Sequence, residues 1–135
     1  MHSVKVLVIG LMWAMLMGCQ VKSEKEPLVQ LSATEVNALF MGKTVESFNL
    51  ISGITSFSFY TPDGRVLQER YWEQRTGRWR VNEKAEMCMS MEGTAYRCRT
   101  IYRKGQKYYK YRLDQDGKPQ KIIRYRQFIE GNALK

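Results

Sequence analysis

Between residues 54 and 128 apolar and polar side chains change places with a period of two. Phe57 and Phe59 alternate with Ser56 and Ser58, Trp79 and Val81 with Arg78 and Arg80, and Tyr109, Tyr111 and Leu113 with Tyr108, Lys110 and Arg112. Successive side chains of a strand point to opposite faces, so this pattern predicts half-buried strands. Glycine-bearing turns punctuate them at Pro62-Asp63-Gly64, Thr76-Gly77, Glu92-Gly93, Lys104-Gly105 and Asp116-Gly117, with the glycines 12 to 16 residues apart. That spacing suits consecutive hairpins. The expected strands cover residues 54–61, 66–75, 78–81, 85–90, 95–103, 107–113 and 120–128. Seven strands on short turns make an antiparallel meander that curls into a small, partly closed barrel.

One stretch follows a helical period instead. Ser32-Ala33-Thr34-Glu35 is a capping box, with Leu31 and Val36 at the hydrophobic-staple positions. Val36, Leu39 and Phe40 then fall on one helical face, and Gly42 stops the run. A short helix over 33–41 is expected to cap one end of the barrel or cover an open edge. The fold class is therefore mainly β with one short N-terminal helix.

The chain's first residues have a different character. An apolar run from Val6 to Met17 follows Lys5 and leads into Leu16-Met17-Gly18-Cys19. A charged start, a short apolar stretch and a small residue at a cut site make a secretory signal. Spanning a bilayer comfortably takes about 20 apolar residues, more than this run offers. Leu16-Met17-Gly18-Cys19 resembles a bacterial lipobox, which implies a diacylglyceryl group on the Cys19 thiol and cleavage after Gly18. An ordinary signal peptide or a membrane anchor is the alternative. Residues 1–18 are then a lipoprotein signal peptide, 19–30 a flexible tether, 31–131 a single β-rich domain and 132–135 a C-terminal tail. The tether reading rests on Gln-Val-Lys-Ser-Glu-Lys-Glu-Pro at 20–27, too polar to bury a face. In lipoproteins generally an aspartate after the lipidated cysteine favours the inner membrane. Gln20 stands there, so the expected location is the outer membrane, facing the periplasm.

Export changes how the cysteines read. With Cys19 lipidated, Cys88 and Cys98 remain as a pair in an oxidising compartment. A hairpin centred on Gly93 puts them directly opposite each other, within disulfide reach.

Charge is uneven. The chain carries a formal net charge of +9, and removing residues 1–18 takes away Lys5 and the only histidine, His2. Residues 19–64 hold three Lys and five acids, whereas 65–135 hold 18 Lys or Arg and eight acids. A basic half suits an anionic neighbour. In an envelope the neighbours of that kind are anionic lipid, lipopolysaccharide and cell-wall polymer, and export argues against nucleic acid. A protein partner is a further possibility, and so is a basic face that is merely solvated.

Catalytic chemistry has little to draw on. Without histidine, Ser-His and Cys-His nucleophile systems are excluded. Glu69 and Glu73 would share one strand face and could act as a carboxylate pair, or could simply be solvated. Met87, Met89 and Met91 at period two suit Cu(I) or, more simply, a packed core. The expectation is no enzyme, no cofactor and no metal. The best binding surface is the tyrosine-rich, basic region, with Arg97, Arg99, Arg103, Tyr108, Lys110 and Arg112 as candidate contacts. Aromatic and basic groups together suit sugars and anionic lipids. Alternatively, tyrosines line the barrel and the cations face out.

The domain also resembles domain-of-unknown-function family 995, a small bacterial exported family. The resemblance rests on the helix ending in Gly42-Lys43-Thr44, on Asp63-Gly64, on Gly77-Arg78-Trp79-Arg80-Val81, on Cys88 and Cys98, and on Gly105 and Gly117. It implies a fold and supplies no activity. A second resemblance, to lysozyme-inhibiting lipoproteins, rests on Gly93-Thr94-Ala95-Tyr96 and Lys104-Gly105, with Glu92 where those proteins usually carry serine. The functional expectation is a noncatalytic envelope lipoprotein that binds an anionic envelope component or a protein. The alternatives are a lipocalin-like carrier of a small apolar ligand and a lysozyme-inhibitor-like protein. A carrier needs interior space that Phe57, Trp79 and Tyr109 would otherwise fill.

Overall fold

The computed structural model describes residues 26–135. Cys19, the leader and most of the expected tether lie outside those residues. In chain order the elements are β1 (Leu28–Gln30), α1 (Ala33–Phe40), β2 (Lys43–Asn49), β3 (Thr55–Tyr60), β4 (Arg65–Arg70), β5 (Glu73–Val81), β6 (Glu86–Met91), β7 (Arg97–Lys104), β8 (Lys107–Leu113) and β9 (Pro119–Glu130). From β2 to β9 each strand pairs antiparallel with the next, and β9 returns to pair with β2. The result is a closed, eight-stranded up-and-down barrel. Closure removes the exposed edges of an open sheet. The ninth strand, β1, pairs with Tyr102, Arg103 and Lys104 of β7. The other edge of that stretch is taken by β8, so β1 continues the edge along which β6 pairs.

Helix α1 plugs one end. Glu35 N donates to Ser32 Oγ at 3.2 Å and Ser32 N to Glu35 Oε1 at 3.1 Å, the reciprocal capping box the sequence spells out. Its buried stripe, Val36 and Phe40, enters the barrel. Phe40 meets Tyr60 and Tyr125 edge-to-face, each at 5.1 Å between ring centres. Val45, Val66, Trp79, Met87 and Ile101 complete the core beneath it. Trp79 is both packed and satisfied, its Nε1 donating to Thr61 O at 3.0 Å.

The mainly β class and the short helix stand, with, among the described residues, eight barrel strands plus one in place of seven. Several details are corrected. The expected strand 66–75 is a hairpin, β4 and β5, turning at Tyr71-Trp72. Tyr71 takes a left-handed φ of 51° there without the glycine or asparagine that would announce it. Thr76-Gly77 is not a turn, because β5 runs straight through it. Gly77 serves close approach, since a Cβ there would collide with the Ser90 carbonyl oxygen and lie 2.7 Å from Met91 Sδ. Strand β2 was not expected; its partner β9 carries a bulge at Arg126, opposite the step from Glu46 to Ser47. Residues 28–30, expected as tether, form β1. The tail is pinned, with Gly131 N donating to Gly42 O and Ala133 N to Thr44 Oγ1, both at 2.8 Å.

Two facing expectations also change. In β3 it is Ser56, Ser58 and Tyr60 that point inward, so Phe57 and Phe59 face out and Phe57 is exposed. Tyr109 lies on the outer face, covered by Lys121 with Nζ 4.0 Å from its ring centre. Of the three aromatics expected inside, only Trp79 is there.

Candidate functional site

Below the core the barrel is not filled. The end opposite α1 opens into a cavity of about 450 Å³, within the range usual for small-ligand sites. The strand alternation that drives Ile101 of β7 into the core also turns Arg99 and Arg97 inward along the same face. Lys110 sits opposite Ile101 on β8, and Arg112 follows two residues on. From β4 and β5 come Arg70 and Arg75, the latter on the face that carries Trp79. Six cations therefore converge on one cavity. Its single lining carboxylate, Glu92, is engaged by the backbone, accepting from Thr76 N at 3.0 Å.

Most of these cations lack an ionic partner. Among the described residues, Arg70 alone of the six pairs with a carboxylate, Glu73, at 3.2 Å. Neutral acceptors hold others in place. Arg75 donates twice to Gln68 Oε1, at 3.1 and 2.5 Å, and Gln68 Nε2 donates onward to Ser58 Oγ at 3.0 Å. Arg112 Nε donates to Gln120 Oε1 at 3.1 Å, and Arg99 Nη1 to Cys98 O at 3.0 Å.

Lys110 is the deepest cation. Its Nζ lies 3.5 Å from Met89 Sδ, a weak acceptor. Burial, with the nearby Arg99 charge, pushes its amine down to about 8. Burial foremost and the neighbouring Arg70 lower Arg75 as well. The buried hydroxyl of Tyr125, another residue of the cavity lining, has no hydrogen-bond partner among the described residues. Burial chiefly, then Tyr60, holds that phenol well above its ordinary range, so it stays a donor. The cations of the lining offer positive charge and N–H donors to something that accepts hydrogen bonds.

The Cys88–Cys98 disulfide forms as expected, with the two residues paired in register and Cα atoms 3.9 Å apart. Arg97 and Arg99 flank Cys98, so the bridge fixes the strand that carries them into the cavity from its other side.

Of the six residues singled out in the sequence, the cavity gathers Arg97, Arg99, Lys110 and Arg112. Tyr108 lies elsewhere, in a shallower hollow of about 280 Å³ beside α1 with Leu39 and Lys43. Arg103 also lies apart from the cavity, its Nη1 donating to Gly105 O at 3.2 Å. Arg70, Arg75, Met89 and Tyr125 were missed. Arg75 was findable, two and four residues before Gly77 and Trp79 on one strand face, once the false turn at Thr76-Gly77 is set aside. The alternative division, with tyrosines inside and cations outside, holds in part: Tyr60 and Tyr125 are in the core, whereas six cations face the cavity. Tyr102 and Tyr111 meet edge-to-face outside, 4.9 Å between ring centres.

Met87 packs in the core, while Met89 and Met91 line the cavity. Among the described residues there is no group of three or more His, Cys, Asp or Glu placed to hold a metal. Glu69 and Glu73 end up on different strands, Glu73 paired with Arg70 and Glu69 accepting from Lys135 N at 3.4 Å. No family model matches the chain, and neither a curated protein nor a solved structure does.

Proposed function

We propose that this chain is a noncatalytic envelope lipoprotein, anchored through Cys19, that binds an anionic group in the open mouth of its barrel. The observation that carries the reading is the convergence of six cations on one cavity with a single, already engaged carboxylate. Uncompensated charges held this close repel one another, and an entering anion relieves that repulsion. The cavity's size suits a headgroup or a small polyanion better than a polymer. Lipid headgroups, lipopolysaccharide phosphates and the ends of cell-wall polymers all carry the right charge. The compartment we infer is the outer membrane's periplasmic side.

A carrier of small apolar ligands is less well supported, because arginines and the polar Ser47, Ser56 and Gln68 line the space. The lysozyme-inhibitor reading gains nothing from the fold. Gly93-Thr94-Ala95-Tyr96 and Lys104-Gly105 sit at opposite ends of β7.

The test is a calorimetric titration of the full chain with glycerol 3-phosphate across a salt series. Binding should weaken as salt rises, because partly exposed charges such as Arg97 are screened. The double substitution Arg97→Gln, Arg99→Gln should weaken it at least tenfold. Absence of binding at low salt would overturn the reading.

A further inference from the structure

The mouth has a second property besides its charge. In an up-and-down barrel alternate turns share an end, so the β2–β3, β4–β5, β6–β7 and β8–β9 connections all ring the cavity opening. The four most exposed large apolar residues of the described chain lie on three of these connections or at their edges. They are Trp72 at 94 %, Tyr71 at 71 %, Leu113 at 69 % and Ile51 at 56 %. Elsewhere, Leu28 and Met41 reach no more than 44 %. Scattered exposed apolar residues are ordinary, but a ring of the most exposed ones around one opening is not. Tryptophan and tyrosine favour the lipid–water interface, where an amphipathic ring has both an apolar and a wet side. The apolar tips thus surround a hole lined with six cations, five of them without an ionic partner among the described residues.

We propose that the mouth docks on an anionic bilayer surface, one phospholipid headgroup entering the cationic cavity while Trp72, Tyr71, Leu113 and Ile51 enter the interface around it. This rests on the anion-binding reading above and adds the form in which the anion arrives. Charge complementarity selects the occupant. A neutral bilayer would leave the cavity arginines facing uncharged lipid, and a free anion would leave the apolar ring in water. Each cation near an anionic surface contributes about 1 kcal/mol, equivalent to about fivefold in the ratio of docked to undocked molecules.

The experiment uses the full chain reconstituted in phosphatidylcholine vesicles, to which separate acceptor vesicles carrying brominated lipid are added. Quenching of Trp72 is taken as the difference between the chain and its Trp72→Phe form, which keeps an apolar tip. Acceptors of phosphatidylglycerol should quench Trp72 and acceptors of phosphatidylcholine should not. Arg97→Gln and Arg99→Gln should each lower the docked ratio about fivefold. Leu113→Asp, at an exposed tip where folding is not at stake, should lower it too. Equal quenching by neutral acceptors, or quenching indifferent to both arginines, would overturn entry of a headgroup into the cavity. No quenching by anionic acceptors alongside retained glycerol 3-phosphate binding would overturn membrane docking and leave the anion site standing. Loss of both would remove the two readings together.

Discussion

Lys110 shows how a single residue can be held at the expense of stability. Its amine is buried beside Met89 and near Arg99, and its proton comes off at about 8 instead of 10.5. At pH 7 the lysine is charged in both the folded and unfolded chain, so the folded state bears the full penalty. As pH rises from about 8 toward 10.5 the folded amine is already neutral and the penalty disappears. Lys110→Met should therefore stabilise the barrel at pH 7 by about 2–3 kcal/mol. That advantage should shrink steadily between pH 8 and 10.5, as denaturant melts at a series of pH values would register. An equally stable or less stable variant at pH 7 would mean the amine is better solvated than its surroundings suggest. None of this was visible in the sequence. Lys110 was identifiable as basic and on a strand, but its depth depends on Ile101 opposite and Ile123 beyond, both set by pairing.

At the scale of elements, legibility tracked how local the signal is. The capping box, the hairpin at Gly93 and the Cys88–Cys98 register all rest on a dozen residues or fewer, and all three form as read. The β4–β5 turn failed because Tyr71 and Trp72 carry no turn chemistry. Strand β3 was read with its faces reversed, because apolar Phe57 and Phe59 look like core. A closed barrel with a polar, cationic lumen inverts that rule, and only the closure of β9 on β2 reveals the lumen. The hairpin of β6 and β7 also links stability to binding. Reducing the disulfide should destabilise the fold by about 2–3 kcal/mol. It should also weaken glycerol 3-phosphate binding, since Arg97 and Arg99 flank Cys98. Melting and titration with and without reductant would separate the two effects. Unchanged affinity after reduction would mean that strand pairing alone positions those arginines.

For the whole molecule, the basic C-terminal half turns out to be an arrangement in space. Eighteen cations follow Gly64 in the sequence, and the barrel turns a subset of them inward upon one opening. Occupying that opening should stabilise the entire barrel, because the unfolded chain has no cavity to fill. At one hundred times its dissociation constant, glycerol 3-phosphate should add about 2.7 kcal/mol. The gain should fall as pH rises through about 8, where Lys110 loses its charge. Thermal melts with and without the ligand at pH 7 and pH 9 would read both effects. A pH-independent gain would remove Lys110 from the anion's surroundings.

Strand β1 decides which way the molecule looks. Leu28 pairs with Lys104 beside the β7–β8 turn, so the chain enters the barrel at the end sealed by α1, opposite the opening. A barrel held by its N-terminal side thus turns its back on whatever holds it. With Cys19 as the proposed anchor, seven residue steps lead to Glu26, reaching at most about 25 Å. The barrel adds roughly 20 Å of height for strands of this length and the usual tilt. Only a surface brought within about 45 Å of the anchoring bilayer could then be met by the mouth. The molecule would act as a gauge of close apposition, engaging where two surfaces come together and idle where they stand apart.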